Sequence, residues 1–96
     1  MSAANKELTS RKERIRASLT TRFSPEALEV IDESDRHIGH AGASASGETH
    51  FRVRITARVF AGLSRIDRHR AVTDALAGEF ASGLHALSID AQAPAA

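Results

Sequence analysis

The stretch that decides the fold is THFRVRITARV, residues 49–59. Its odd-numbered side chains from Phe51 to Val59 are apolar, and they alternate with polar and basic ones. Period two over a run of this length is typical of a β-strand with one buried face and one face in water. We therefore predict a strand over residues 49–59 whose last inward side chain is Val59 and whose outer face is basic.

Downstream of this strand the pattern changes to that of a helix. Phe60-Ala61-Gly62 turns the chain, and Ser64 followed by Asp67 resembles a capping box, a helix-start signal. Apolar or ring side chains then recur at helical spacing until Gly83 ends the helix. The stripe expected to face the core comprises Ile66, His69, Val72, Leu76 and Phe80. A last strand is predicted over residues 84–91.

Upstream of the same strand, helical spacing of apolar side chains predicts an amphipathic first helix, which Ser24-Pro25 ends. Ser2 or Asn5 can cap this helix, and its apolar positions are Leu8, Ile15, Leu19 and Phe23. A short strand is predicted over residues 27–33. A loop over residues 35–47, which contains three glycines, follows it. Loops of that length in small domains are usually functional or disordered.

The predicted elements follow one another in the order α-β-β-α-β. The second and third strands flank a helix and should be parallel, whereas the first two strands should be antiparallel. The expected fold is a two-layer α+β domain with a three-stranded mixed sheet and helices on one face. We expect a single domain over residues 1–96, with flexible tails at residues 1–4 and 92–96.

Composition excludes several classes of protein. The 96-residue chain has no cysteine, which removes disulfides and any thiolate ligand supplied by this chain. It has no apolar run long enough to span a membrane and no secretory signal, so we expect a soluble, cytoplasmic protein. It also lacks a G-x-S-x-G elbow and a P-loop, and no set of side chains offers complementary catalytic roles. We expect no enzyme.

Five histidines are the main candidates for chemistry: His37, His40, His50, His69 and His85. Parallel pairing places the start of the third strand beside the start of the second, and the long loop ends at that same edge. His85, His50 and the loop pair His37 and His40 should therefore converge, whereas His69 on the helix should not. Convergent imidazoles can bind iron, zinc or copper, but the spacing by itself favours ordinary surface and strand-edge histidines.

Basic residues raise a second possibility, nucleic-acid binding. The candidate contacts are Arg52, Arg54, Arg65, Arg68 and Arg70. The net charge is only +1, and no tyrosine or tryptophan is present to stack on bases. Residues 1–22 carry six basic and two acidic side chains, whereas residues 23–50 carry one and six. These observations favour a solvated basic face over a nucleic-acid surface as the interpretation of the arginines.

Several stretches together resemble the BolA family. They are Leu28-Glu-Val-Ile-Asp-Glu-Ser34, His37-Ile-Gly-His-Ala-Gly42, Glu48-Thr-His-Phe51, Phe60-Ala-Gly62 running to Arg68-His-Arg70, and Leu84-His-Ala-Leu-Ser-Ile89. The resemblance covers roughly residues 8–94 in the right order. It implies an αββααβ arrangement similar to a class II KH domain, with a short extra helix near residues 79–82.

The resemblance also implies a function. Many BolA proteins pair with monothiol glutaredoxins of the CGFS type and share a bridged 2Fe-2S cluster, with glutathione on the glutaredoxin side. The family's histidine ligand before A-L-S-I matches His85, and the loop ligand would be His40 or His37, of which the glycine-flanked His40 is favoured. The implied role is iron–sulfur handling or iron regulation, with no cluster expected on the isolated chain, which would be a monomer or weak homodimer.

Two points of the resemblance stay open. The family's usual aromatic residue after the last proline is absent, because Pro94 is followed only by Ala95 and Ala96. Some BolA proteins are described as transcriptional regulators, so a DNA-binding regulator is the alternative function. The surface for DNA would be residues 64–70 with Arg52 and Arg54. In the structural alternative, His69 packs on the sheet while Arg68 and Arg70 hold a partner or a helix end.

Overall fold

A three-stranded sheet carries its helices on one face. The computed structural model describes residues 10–33 and 49–95. The elements are α1 (Arg11–Phe23), β1 (Ala27–Asp32), β2 (His50–Thr56), a 3₁₀ turn (Arg58–Phe60), α2 (Arg65–Ala75), α3 (Ala77–Ala81) and β3 (Ala86–Gln92). The predictions for the loop over residues 35–47, with His37 and His40, and for Ser2, Asn5 and Leu8 lie outside the described residues.

The sheet has the order β1-β2-β3. β1 runs antiparallel to β2, with Ala27 opposite Thr56, and β2 runs parallel to β3, with His50 opposite Ala86. Both pairings confirm the prediction from the order of elements. The described strand β3 continues through Gln92, one residue further than expected, and Ala93 packs against the core.

The core lies between the inner face of the sheet and the helices. The odd-numbered β2 side chains Phe51, Val53 and Ile55 are buried, whereas Arg52 and Arg54 are exposed on the outer face. The remaining fully or nearly buried core side chains are Ile15, Leu19, Phe23, Val30, Ala57, Phe60, Val72, Leu76 and Leu84. The alternation in the central strand therefore does orient the sheet, as the sequence predicts.

Helix α1 begins and ends at residues with recognisable local chemistry. The hydroxyl of Ser10 accepts a hydrogen bond from the Glu13 N–H at 3.2 Å, so Ser10 caps the helix that packs on the sheet. The helix ends where Ser24 adopts the left-handed conformation, φ 46°, directly before Pro25. The break at Ser24-Pro25 is confirmed, and Ser10 is the cap of the described helix.

The expectation that Val59 points inward is wrong. The strand ends at Thr56, and a 3₁₀ turn follows in which the Phe60 N–H donates to the Ala57 carbonyl at 3.1 Å. Because this turn repeats every three residues, Phe60 returns to the side of Ala57 and is fully buried. Val59 is left 53 % exposed.

The single helix that periodicity predicts after the turn is two helices, which agrees with the short extra helix that the family resemblance implies. The apolar stripe is only partly buried. Val72 and Leu76 are buried, but Ile66 is 62 % exposed and His69 is also exposed. The start of α2 lies near the end of the edge strand β3, where Arg68 donates a hydrogen bond to the Ala91 carbonyl. The break at Leu76 then leaves Phe80 at the surface. The proposed packing of His69 on the sheet is therefore wrong.

The predicted start of α2 is confirmed by its cap. The Ser64 hydroxyl accepts a hydrogen bond from the Asp67 N–H at 3.1 Å. Replacing Ser64 with alanine should lower the free energy of unfolding by about 1 kcal/mol, because one helix-terminal N–H loses its acceptor. Urea denaturation measures this change. Ser64→Asp, which keeps an acceptor, should stay close to the parent chain, and an equal loss in both variants would contradict the assignment.

None of the helices in the part of the chain described here has both the length and the apolar character that a membrane crossing requires.

Candidate metal-binding edge of the sheet

His85 lies immediately before β3, at the edge of the sheet where β2 begins. Its backbone N–H donates to the Thr49 carbonyl at 2.8 Å, and the Ala86 N–H donates to the same oxygen at 3.1 Å. These bonds hold the backbone of His85 in place while its side chain stays exposed. The parallel pairing predicted from the sequence is what brings His85 to this edge.

His50 is the nearest described histidine to His85. The centres of the two imidazole rings are 6.1 Å apart, with the ring planes inclined by 35°. The Thr49 hydroxyl and the His50 Nδ1 lie 2.9 Å apart and share a hydrogen bond, which helps to orient the ring. The predicted convergence of His50 and His85 is therefore present, and the site combines one exposed and one half-buried imidazole.

The histidine-containing segment between β1 and β2 leaves and rejoins the described structure at this same edge. On one side the Glu33 N–H donates to the His50 carbonyl at 2.8 Å. On the other side Thr49 is bonded to His85, as described above. His37 and His40 belong to the intervening residues 34–48, so their role as loop ligands stays a prediction.

His69 does not belong to this edge. It lies on α2 and helps to line a groove beside Ile89, Asp90 and Gln92 of β3. Because α2 runs antiparallel to β3, its N-terminal half lies near the end of that strand, whereas His85 lies before its beginning. The expectation that His69 stays apart from the other histidines agrees with this placement.

A cluster of ion pairs fixes the turn that leads into His85. Glu79 on α3 accepts from Arg11 Nη1 at 2.8 Å and from Arg14 Nε at 2.9 Å, both on α1. Arg11 Nη1 also donates to the Ser82 hydroxyl at 2.9 Å. The hydrogen bond from Arg14, with the charges of both arginines, holds the pKa of the Glu79 carboxyl below its usual value although burial opposes this.

Gly83 completes that turn. Its φ of +128° is a conformation that side-chain-bearing residues rarely adopt, and a Cβ there would come within 3.2 Å of Arg11 Nη2. Sequence reasoning identified Gly83 as a helix end but missed the Arg11–Arg14–Glu79 cluster. No pattern in the sequence relates α1 arginines to a glutamate 65 or more residues away.

The donor set of the edge fits a shared metal site rather than a closed one. Among residues 10–33 and 49–95, no group of three or more histidine, cysteine or carboxylate side chains is arranged to hold a metal ion. The chain has no cysteine to supply a thiolate. Imidazole is nevertheless a known ligand of iron in 2Fe-2S centres, and His85 is exposed. A metal or cluster held here would need further ligands from the undescribed histidines or another molecule.

The candidate nucleic-acid residues do not form one basic surface. On the outer face, Arg52 pairs with Glu33 at 2.9 Å, and Arg54 lies 3.7 Å from Glu29 and 3.9 Å from Asp90. These carboxylates neutralise the sheet arginines that would meet phosphates.

The helix arginines divide into two kinds. Arg68 donates from Nε to the Leu63 carbonyl at 3.1 Å and from Nη1 to the Ala91 carbonyl at 3.3 Å, so it braces the turn against β3. Within the described part of the chain, the structure gives Arg65 and Arg70 no ion pair. Of the five arginines predicted to contact nucleic acid, Arg65 and Arg70 can therefore bind an anion without losing an observed interaction.

Comparison with known proteins gives consistent matches. The family model described as BolA-like protein matches residues 19–96. BolA-like protein 1 of Mus musculus is 47 % identical over 81 residues, which are 84 % of this chain and 56 % of that protein. The DNA-binding transcriptional regulator BolA of Vibrio cholerae is 44 % identical over 75 residues, 78 % of this chain and 67 % of that protein.

The solved structure of the BolA domain of SufE1 from Arabidopsis thaliana resembles this fold with a TM-score of 0.79 and 48 % sequence identity. The match covers 90 % of this chain and 94 % of that domain. By contrast, this chain spans about a quarter of the whole SufE-like protein 1 and about half of the mouse protein. The similarity therefore concerns one α+β domain, with its mixed three-stranded sheet.

Proposed function

This chain belongs to the BolA family, and we propose that it is a non-enzymatic adaptor in iron–sulfur cluster handling or iron regulation in the cytoplasm. In this proposal it co-ligates a bridged 2Fe-2S cluster with a CGFS monothiol glutaredoxin and glutathione. His85 is the ligand from the sheet edge, and His40, or else His37, is the ligand from the segment between β1 and β2. Alone, the chain is a monomer or weak homodimer without a cluster.

The observation that carries this proposal is the exposed His85 at the edge where the histidine-containing segment begins and ends. Thr49 holds the His85 backbone, and the Arg11–Arg14–Glu79 cluster holds the turn before it. A ligand whose backbone is already held in place loses less conformational entropy when it binds. The lack of cysteine and of a third suitable donor in the described residues favours a cluster whose remaining ligands come from a partner.

Imidazole ligation has chemical consequences for such a cargo. Neutral histidine in place of thiolate raises the reduction potential of a 2Fe-2S cluster and links it to pH. Protonated imidazole cannot coordinate, so acidification should release the cluster from this chain. Both properties suit transfer of a cluster better than its permanent storage.

The test is reconstitution of the full chain with a CGFS glutaredoxin, glutathione, ferrous iron and sulfide, followed by visible circular dichroism. We expect a spectrum different from that of the glutaredoxin homodimer, and we expect His85→Ala to restore the homodimer spectrum. His69→Ala, an exposed histidine away from the edge, is the matched control and should leave the mixed spectrum intact. An unchanged spectrum in His85→Ala would refute the proposal.

The same experiment separates the two candidate loop ligands. His40→Ala should alter the mixed spectrum and destabilise the cluster, whereas His37→Ala should have little effect. The reverse result would move the ligand role to His37. Loss in neither variant would leave His85 as this chain's contribution and transfer the second ligand to another residue.

DNA binding is the second candidate function, and the name of the Vibrio cholerae relative favours it. On this chain it would rest mainly on Arg65 and Arg70, because the sheet arginines are paired with carboxylates. Arg65→Glu with Arg70→Glu should weaken duplex binding and reduce its salt dependence. The same double variant should leave the cluster spectrum unchanged, so the two functions can be tested separately.

A further inference from the structure

The side of β3 that faces away from β2 is its outer edge, and it has no strand beside it within the described residues. This outer edge runs along the length of β3, whereas His85 lies at the end of the sheet where β3 begins. The Ala57 N–H donates to the Gln92 carbonyl at 3.0 Å, so the peptide groups of even-numbered β3 residues face β2. By alternation, the peptide groups of Leu87, Ile89 and Ala91 face away from the sheet. An edge of this kind is a template for another extended chain.

One end of this edge is already occupied by a donor. Arg68 Nη1 hydrogen-bonds to the outward Ala91 carbonyl at 3.3 Å. In the described part of the chain, the outward N–H groups of Leu87 and Ile89 have no protein acceptor. The half of β3 nearer to His85 can therefore accept backbone pairing without displacing Arg68.

A groove of about 810 Å³ runs along this edge between β3 and the start of α2. Its apolar lining includes Leu63, which is 38 % exposed, together with the half-buried Leu87 and Ile89. These side chains would cover apolar residues on alternate positions of an added strand. The groove therefore has the two features of strand addition, namely free main-chain groups and apolar contacts at period two.

The charges at the groove indicate the chemistry of its occupant. Arg65 and Arg68 line it from α2. The carboxylate in the lining, Asp90, lies 3.9 Å from Arg54 on the outer face. The side towards α2 is thus cationic.

We propose that the outer edge of β3 binds an extended acidic segment of a partner protein, which adds to the sheet as a fourth strand. Apolar residues on the side of the segment that faces α2 cover Leu87 and Ile89, and a carboxylate on that same side faces Arg65. The inference does not depend on cluster binding. The added strand would pair with the side of β3 that faces away from β2, and it would contact none of the proposed histidine ligands.

The test uses the full ¹⁵N-labelled chain and an acetylated, amidated seven-residue peptide with threonine at its odd positions, valine at positions two and four, and glutamate at position six. Its valines and its glutamate therefore lie on the same face of an added strand. Amide hydrogen exchange should slow by about tenfold or more at Leu87 and Ile89, whereas Ser88 and Asp90 should change by less than about twofold. Arg65→Glu should weaken peptide binding by about tenfold, and Arg16→Glu, an exposed arginine on α1, by less than about twofold.

Each other outcome overturns the proposal. Absence of added protection at Leu87 and Ile89 excludes strand addition, and equal binding of a peptide with lysine in place of the glutamate excludes the acidic specificity. Protection that rises with protein concentration in the absence of peptide assigns the edge to a second copy of the chain. Competition by a DNA duplex that perturbs Arg65 but leaves the β3 amides unprotected assigns the groove to nucleic acid.

Discussion

Replacing Phe60 with alanine is expected to lower the free energy of unfolding by about 3–5 kcal/mol. The Phe60 ring is fully buried, and its centre lies 5.1 Å from that of Phe23 on α1, in a tilted arrangement. Removal would leave a cavity between the first helix and the turn after β2. A domain of this size has a total stability of about 5–14 kcal/mol, so the variant should lose much of it.

Urea denaturation of the matched variant Val59→Ala provides the control. Val59 is the residue that strict alternation would bury, but it is 53 % exposed, and its truncation should cost less than about 1 kcal/mol. Should Phe60→Ala fail to fold, Phe60→Leu, expected to cost about 1–2 kcal/mol, keeps the comparison measurable. A larger loss in Val59→Ala than in the Phe60 variants would contradict the 3₁₀ turn.

Replacing Glu79 with glutamine is expected to lower the free energy of unfolding at pH 7 by about 2–3 kcal/mol. The Glu79 side chain is only 13 % exposed, and it accepts hydrogen bonds from two arginines of α1. Glutamine keeps the size but removes the charge, which leaves Arg11 and Arg14 without their carboxylate. The variant should therefore loosen α3 and the turn that leads into His85.

The pH dependence of the free energy of unfolding follows from the contacts of Glu79 with Arg11 and Arg14. The Arg14 hydrogen bond and the charges of both arginines lower the Glu79 pKa in the folded state. A lowered folded pKa means that the stabilisation is present above the pKa of the unfolded chain and is lost as the pH falls through the folded pKa. The difference between the parent chain and Glu79→Gln should accordingly stay constant from pH 7 down to the usual pKa of a glutamate and shrink as the pH falls further, through the lowered folded pKa.

Glu29→Gln is the matched control for this titration. Glu29 also lies near an arginine, but the distance is 3.7 Å and both side chains are more than half exposed. Such surface pairs contribute about 0–1 kcal/mol, so this variant should show a small loss at pH 7. A Glu79→Gln variant as stable as Glu29→Gln at every pH would contradict the role of the cluster.

Local pattern was enough to predict the parts of the fold in which neighbours along the chain decide the outcome. The alternation from Phe51 to Ile55 specifies a strand and its buried face, and Ser64 with Asp67 specifies a helix start. The order of elements then implies the parallel pairing of β2 with β3, because a crossover through a helix returns the chain in the same direction. The convergence of His50 and His85 follows from that pairing.

The remaining features depend on contacts between residues far apart in sequence. Whether Val59 or Phe60 enters the core depends on a 3₁₀ turn packed against Phe23, and the exposure of Ile66 depends on where α2 lies relative to β3. The pairing of Glu79 with Arg11 and Arg14 arises only when α1 and α3 meet.

Periodicity along the chain therefore indicated which segments form strands and which form helices, and the order of those segments indicated the direction of each strand. Tertiary packing decided which ends of those elements are buried, which carboxylates neutralise the arginines, and how close the two imidazoles stand. The physical reason is that a repeating pattern reports which face of an element is apolar. The assembled structure decides which element packs on that face and which residues at its ends stay exposed.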